Sequence, residues 1–295
     1  MNKCYLCGSK ELKEIQSKIR NNHSDETKVY ECLFCGVHFL FPFPSEADIS
    51  NYYQKEYRKE YEGENCYSKE ESDEFFEKSI PEAKQRVDRI KGYLKKNDEI
   101  LEIGCASGYF LEMIKSFVKK ANGLEWDYKN AEYAQKLGFE VKSNPEEFNK
   151  KFNKIFMFHV LEHIVNPIEY MKNLKNYIEK DGMVFIEVPN NQDILISRYD
   201  IPKFREFYYC SAHLWYFNAK SLEMLLNKAG YDCEIVQIQR YDISNHMEWL
   251  SSGIPGGQGK YNDVFTADLK KSYNEMLSKN QMTDTIYAIC KVKTN

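Results

Sequence analysis

The sequence predicts an α/β chain: a mostly parallel, seven-stranded sheet with helices on both faces, preceded by a small cysteine-knuckle segment. Three observations carry this. Short apolar runs alternate with amphipathic stretches from residue 79 onward, the pattern of strands buried on both faces and joined by crossover helices. A glycine turn, Gly104 to Gly108, links the first of these strands to the helix that follows it. Before either, "CYLCG" and "CLFCG" place Cys4, Cys7, Cys32 and Cys35 in two matching knuckles.

In chain order, "KVYEC" and "VHFLF" read as short strands around the second knuckle, and "FPFPS" (Phe41 to Ser45) is a breaker cluster that marks a boundary. Residues 46–78 form a connecting arm. Its first half reads as a helix, with Ile49, Tyr52, Tyr53 and Tyr57 on one face, and its Glu-rich second half as a solvated loop. Ser79, Pro81 and Glu82 predict a helix start with a capping box, and Val87, Ile90 and Leu94 its buried stripe. Strands follow at 100–103, 121–124, 139–141, 155–158, 184–188, 234–238 and 285–291. Helices follow at 109–118, 129–137, 167–178 and 222–229, the last ending at Gly230 as a C′ residue. Three parts are expected: a ribbon at 1–45, the arm at 46–78, and the sheet domain at 79–295 with an insertion at 241–282.

Composition narrows the function. The 295 residues are 42% apolar and 29% charged, enough for a packed core. With 41 basic against 45 acidic residues the net charge is −4, and Lys and Arg are thinly spread, which argues against a nucleic-acid partner. No run of about 18 apolar residues exists to span a membrane, and the polar N-terminus lacks the apolar core of a secretion signal. A cytoplasmic location is expected.

The glycine turn reads Glu102-Ile103-Gly104-Cys105-Ala106-Ser107-Gly108. It has neither the three spaced glycines of a dinucleotide fingerprint nor the Gly-Lys-Ser/Thr of a phosphate loop. Glu102 at the strand end repels phosphate and suits an ammonium group. Glu125, after the second strand, can accept both hydroxyls of a ribose, and Trp126 offers a face for a base. Ammonium, ribose and base together describe S-adenosylmethionine.

These residues also carry a resemblance. "LEIGCASGYF" resembles the first motif of class I S-adenosylmethionine-dependent methyltransferases, with Ala106 in place of the middle glycine, and "GLEWD" resembles their acidic second motif. "KIFMFHVLEHIVNPIEYMKNLKNYIEKDGMVFIEVPN" is similar to the family's stretch from fourth to fifth strand, including a D-G turn, and "HLWYFNAKSLEMLLNKAGY" to the family's next stretch along the chain. The resemblance implies a Rossmann-like fold. It places Glu102 at the methionine amine, Gly104, Ala106 and Gly108 beneath methionine and ribose, and Glu125 at the ribose. Trp126 and His159 lie nearby, and Glu146, Glu147 or Phe148 at the adenine.

The two Cys-x-x-Cys-Gly pairs can supply four thiolates to one tetrahedral, structural zinc with no position left for water. The 24-residue spacer exceeds the usual one, but a hairpin absorbs it. Cys66, Cys105, Cys210, Cys233 and Cys290 read as ordinary residues. A smaller group of the methyltransferases, several acting on nucleotide-linked sugars in surface-polysaccharide pathways, is similar further: its members carry such a segment, a Pro-rich break and a "YY…Y" helix. That likeness implies a small-molecule acceptor, with methylation on oxygen or nitrogen expected over carbon because 295 residues are too few for the further C-terminal domain of the group's sugar C-methyltransferases.

A hydroxyl acceptor benefits from a general base. His163 leads, then His213, with His159 also near the cofactor, although each also reads as a packing residue. His159 and His163 stand i,i+4, a spacing that suits a shared helix face or a metal, but no third ligand is evident. Tyr208, Tyr209 and Trp215 are candidates for the acceptor wall. So are Asn245 and His246 ahead of the Gly-rich "GIPGGQGK", which reads equally as a flexible loop. Two alternatives stand beside the small-molecule reading: an RNA or protein methyltransferase that docks through its ribbon, and a non-catalytic cofactor-binding module.

Overall fold

The computed structural model describes residues 3–21, 26–43 and 69–293. By internal packing the chain divides into two compact units. One comprises residues 1–43, 161–170 and 186–290, the other residues 44–160, 171–185 and 291–295. The helix expected over Ile49 to Tyr57 lies outside the described residues.

In the first unit, β1 (Leu12–Gln16), β2 (Lys28–Cys32) and β3 (His38–Phe41) form an antiparallel meander. The sheet is completed by β9 (Trp215–Tyr216), which pairs antiparallel with β3. The two predicted strands are present. β1 was not expected, because its "LKEIQ" is mostly polar and only partly buried. An aromatic cluster packs the ribbon onto β9: Phe39 and Phe43 lie 5.9 and 5.4 Å from Trp215, centroid to centroid. The second knuckle is held by side-chain amides, since Asn191 and Asn218 both donate to the Gly36 carbonyl, at 2.8 and 2.9 Å. A Cβ at Gly36, where φ is +72°, would strike the Asn218 amide at 2.4 Å, so glycine is required there.

The larger sheet has the order β10-β11-β8-β7-β4-β5-β6. Its members are β4 (Glu99–Ile103), β5 (Lys120–Leu124), β6 (Glu140–Lys142), β7 (Phe152–Phe158), β8 (Ile178–Pro189), β10 (Tyr231–Ile238) and β11 (Thr285–Val292). The pairs β4–β5, β4–β7 and β5–β6 are parallel. Residues 100–103 of β4 are all buried, as expected of a strand covered on both faces. All seven strands fall where the apolar runs predicted them. Asp181-Gly182, expected as a turn, instead lies inside the twelve-residue β8. A Cβ on Gly182 would meet Ile178 at 2.5 Å, so the glycine serves a close approach within the strand.

The helices are α1 (Lys69–Ile90), α2 (Tyr109–Ile114), α3 (Tyr128–Lys136), α4 (Pro167–Leu174), α5 (Ile194–Ser197), α6 (Pro202–Tyr208), α7 (Ala219–Ala229), α8 (Ile243–Ser252) and α9 (Ala267–Lys279). α2 and α4 each tighten into a 3-10 turn where the prediction continued the helix. α1 corrects the predicted start at Ser79: the helix begins ten residues earlier, so part of the Glu-rich segment is helical. Ser79 does not cap it. Its hydroxyl donates to the Phe75 carbonyl one turn back, at 2.8 Å, and Pro81 sits inside the helix, where its missing N–H forgoes one backbone bond. α7 ends at Gly230 with φ +82°, as predicted. Among the described residues no helix is long and apolar enough to cross a membrane.

Candidate functional site

The cofactor loop lies within the second unit. After β4 the chain bends sharply: the amides of Gly104 and Cys105 both donate to the Leu124 carbonyl, at 2.8 and 3.0 Å. Gly104, Ala106 and Gly108 all adopt the left-handed conformation, with φ of +73°, +44° and +84°. A Cβ on Gly104 would lie 2.7 Å from the Val160 side chain, so the segment after β7 presses on the bend. Ala106 holds a conformation that costs a non-glycine residue about 1 kcal/mol. It occupies the place of the middle glycine in the resembled motif.

Glu102 is 2% exposed, and its Oε2 has no hydrogen-bond partner among the described residues. Burial pushes its pKa up to about 8, the nearby Arg86 guanidinium pulls it down, and Glu125 adds to the rise. A buried carboxylate short of a donor is a costly group. An ammonium group offers the charge and the protons it lacks. Glu125 is better supplied: its carboxylate accepts from the amides of Ala106 at 2.8 Å and Asp127 at 2.9 Å. Each oxygen keeps a lone pair for a ribose hydroxyl. Burial holds the Glu125 pKa up at about 7. Trp126 is 69% exposed, and its indole N–H donates to the Ser143 carbonyl at 3.0 Å, which fixes an open aromatic face beside Glu125. The donor set therefore fits S-adenosylmethionine.

The adenine candidates separate. The Glu147 carboxylate closes its own turn, accepting from Ser143 Oγ at 2.8 Å and the Asn144 amide at 3.0 Å. Phe148 is buried edge-on against Phe152, at 5.4 Å. Glu146 is exposed. Glu147 and Phe148 thus both have structural duties in the segment after β6.

The four knuckle sulfurs converge. Cys4 and Cys35 lie 3.8 Å apart and Cys7 and Cys32 3.5 Å apart, with all four sulfurs within 4.8 Å of one another. A tetrahedral zinc with bonds of about 2.3 Å sets its sulfurs about 3.8 Å apart, so the cluster fits that ion.

The histidines do not share a helix. His159 follows β7 in the left-handed conformation, φ +56°, and the next turn covers only Leu161–His163. The expected i,i+4 helical face is therefore absent. His163 and His213 do meet in the first unit, with rings 4.8 Å apart and nearly perpendicular. Nδ1 of His163 lies 2.9 Å from the Ala212 carbonyl. A carbonyl only accepts, so Nδ1 carries the proton and Nε2 the lone pair in the neutral ring.

A family model described as a methyltransferase domain matches residues 75–236. The chain belongs to this methyltransferase family. It is 25% identical over 177 residues to the tRNA U34 carboxymethyltransferase of Wolinella succinogenes, 53% of this chain and 61% of that protein. It is 29% identical over 105 residues to the ubiquinone biosynthesis O-methyltransferase of Pelagibacter ubique, 32% of this chain and 43% of that one. The chain thus spans less than two thirds of these curated relatives. A solved S-adenosylmethionine-dependent methyltransferase from Archaeoglobus fulgidus shares the fold, with a TM-score of 0.52 and 20% identity over 82% of this chain and 100% of that chain. Residues 75–236 thus make up a methyltransferase domain, and the groups around the bend after β4 fit S-adenosylmethionine.

The structure places each predicted acceptor residue in contacts within the protein. Tyr209 is fully buried, with its hydroxyl 3.0 Å from His38 Nδ1. Trp215 lies in β9, where its indole donates to the Ile164 carbonyl at 2.9 Å. Both tie the ribbon down. The Asn245 amide holds the Gly256 carbonyl at 2.5 Å. His246 is 1% exposed, between Tyr273 Oη at 2.8 Å and Gln239 Nε2 at 3.2 Å, and burial lowers its pKa to about 4. The Gly-rich loop is not slack: Gly259 donates to Asp242, and Lys260 pairs with Glu248 at 2.5 Å. Asn245 and His246 hold α8 and its loop together.

Sequence reasoning missed two residues of the cofactor region. Arg86 of α1 is 3% exposed, pairs with Glu82 at 2.8 Å and lies 4.4 Å over the Phe158 ring. It falls on the same helical stripe as Ala83, Val87 and Ile90, and a charge on an apolar stripe was the available signal. Ser107 is 1% exposed, with a hydroxyl that has no partner among the described residues.

Proposed function

We propose that the methyltransferase acts on an oxygen or nitrogen of a small acceptor, a nucleotide-linked sugar or a related cell-envelope polysaccharide precursor, and that its ribbon holds a structural zinc. The bound donor supplies an electrophilic methyl group on a sulfonium. Glu102 takes the donor's ammonium, Glu125 its ribose hydroxyls, and the left-handed bend brings the backbone close beneath them. Trp126 offers its open face to the base. His163 or His213 removes the acceptor proton, His163 through Nε2.

The observation that carries the cofactor half is the buried Oε2 of Glu102, which has no partner among the described residues. The acceptor half is supported by the ribbon, which is paired through β3 to β9 in the same unit as His163 and His213. A ribbon built into that unit suits a scaffold for the acceptor side better than a free docking module. The division into ribbon (1–45), connecting arm (46–78) and sheet domain with an insertion (241–282) belongs to this proposal.

A second reading is favoured by one finding: a relative is named as a tRNA carboxymethyltransferase, so the acidic balance does not dismiss nucleic acid. Isotope-labelled donor, offered with a panel of nucleotide sugars and with unmodified tRNA, separates the two. Label in the nucleotide sugar supports the proposal. Label in tRNA, lost as salt rises, replaces it.

A further inference from the structure

Among the described residues, one ligand atom each from Glu162, His163 and His213 lies within 4.8 Å of the others. The three come from segments about fifty residues apart in sequence, and the main chain fixes their spacing. Leu214 N–H donates to the Glu162 carbonyl at 2.9 Å, and Ala212 accepts from His163 Nδ1 at 2.9 Å. The turn Leu161–His163 is thus bound on both sides to the chain leading into β9. Glu162 is fully buried and both histidines are half-buried. The sequence alone offered two histidines without a third ligand; the fold replaces His159 with His213 and adds the carboxylate.

We infer that Glu162, His163 and His213 form a binding site for a divalent transition-metal ion, separate from the four knuckle cysteines. Three features argue for it. Two imidazoles and one carboxylate are a donor set that zinc and its neighbours take in sites with an open position. Bonds of about 2.0–2.2 Å place ligand pairs about 3–4 Å apart, within small side-chain adjustments of the observed spread. The Ala212 carbonyl on Nδ1 leaves Nε2 of His163 as the ligating nitrogen, the outer-shell arrangement that orients metal-binding histidines. The half-buried rings leave the remaining coordination positions open to water or an acceptor oxygen.

What the ion does rests on the proposed function; whether it binds does not. In that reading an acceptor hydroxyl coordinated there loses its proton to solvent at lower pH than a free one. With the ion bound, Glu162, His163 and His213 act as ligands, and the ion takes over the proton-removing role that His163 or His213 has in the metal-free protein.

Cobalt(II) chloride, titrated into purified protein brought to one zinc per chain, which the four thiolates take first, tests the site without reference to methyl transfer. One equivalent is expected to bind with weak visible d–d absorption and no thiolate-to-cobalt charge-transfer band. Glu162→Gln, His163→Ala and His213→Ala are each expected to weaken binding by more than about tenfold, while affinity for S-adenosylhomocysteine stays unchanged and shows each variant folded. Absence of a saturable band in the wild type, a thiolate charge-transfer band, or unchanged cobalt binding in all three variants would overturn the inference. Methyl transfer to tRNA with cobalt bound would defeat the acceptor reading and leave the metal site standing.

Discussion

The loop at 102–108 and the insertion at 241–282 look alike as sequence: each joins glycines to polar side chains. In the folded protein they are opposites. Around the first, Glu102 and Ser107 keep buried polar atoms without partners among the described residues, and three turn positions are left-handed. In the second, Asp242, Asn245, His246 and Glu248 are all bonded to their own loop or helix neighbours. Side chains whose hydrogen bonds are complete hold structure; those left incomplete by a rigid frame await a ligand.

The sharpest way to break this contrast is Glu102→Gln. It should weaken S-adenosylhomocysteine binding by roughly 30- to 100-fold, the worth of a buried charge-assisted bond, without lowering the melting temperature of the ligand-free protein. Calorimetric affinity equal to wild type would remove Glu102 from the site. Next in size is zinc removal. Dialysis against a strong chelator should lower the melting temperature by several degrees, on the order of 5 °C or more, and metal analysis should find one zinc per ribbon before treatment. An unchanged melting curve after the metal has left would refute a structural role.

The proton balance of the same carboxylates sharpens the contrast further. Glu102 is held above the ordinary carboxyl value of 4.5, at about 8. Its contribution to ligand-free stability is therefore complete below the ordinary value and is lost as pH rises through about 8. Near pH 7 the acid form dominates, and taking up an ammonium group favours the carboxylate. Binding at pH 7 should release about one proton, read by titration calorimetry in two buffers of different ionisation enthalpy. No buffer dependence would show that Glu102 is already ionised.

In the insertion, Asn245→Ala should cost about 1–2 kcal/mol by stranding the Gly256 carbonyl, seen as a lower unfolding midpoint in urea. The acceptor KM should not change. A raised KM at unchanged stability would return Asn245 to the acceptor pocket. The smallest effect is expected from Ala106→Gly. Relief of the left-handed backbone, partly offset by greater freedom of the unfolded chain, leaves a gain of at most about 1 kcal/mol, with cofactor affinity within about twofold.

The sheet was readable because each strand is an apolar run of strand length between breakers, and Gly230 and Gly104 stand where only a left-handed residue fits. Glu102, Glu125 and the four cysteines were readable because a strand end or a knuckle fixes their chemistry locally. The misreadings share a cause. Ser79-Pro81-Glu82 has the spacing of a cap, but Ser79 bonds backward within a helix already under way. The i,i+4 spacing of His159 and His163 suits a helix, but His159 is left-handed and the turn after it covers only Leu161–His163. The meeting of His163 with His213 depends on the Leu214 backbone bond to Glu162 and the His163 side-chain bond to the Ala212 carbonyl, which no local pattern records.

The strand that completes the cysteine sheet, Trp215–Tyr216, is also among its last parts to be synthesised. Both knuckles leave the ribosome long before it, with their fourth strand still unmade. During that interval the four cysteines are present without the strand that completes their sheet. A zinc ion held there as proposed has its four thiolates available before the ribbon's last strand is made.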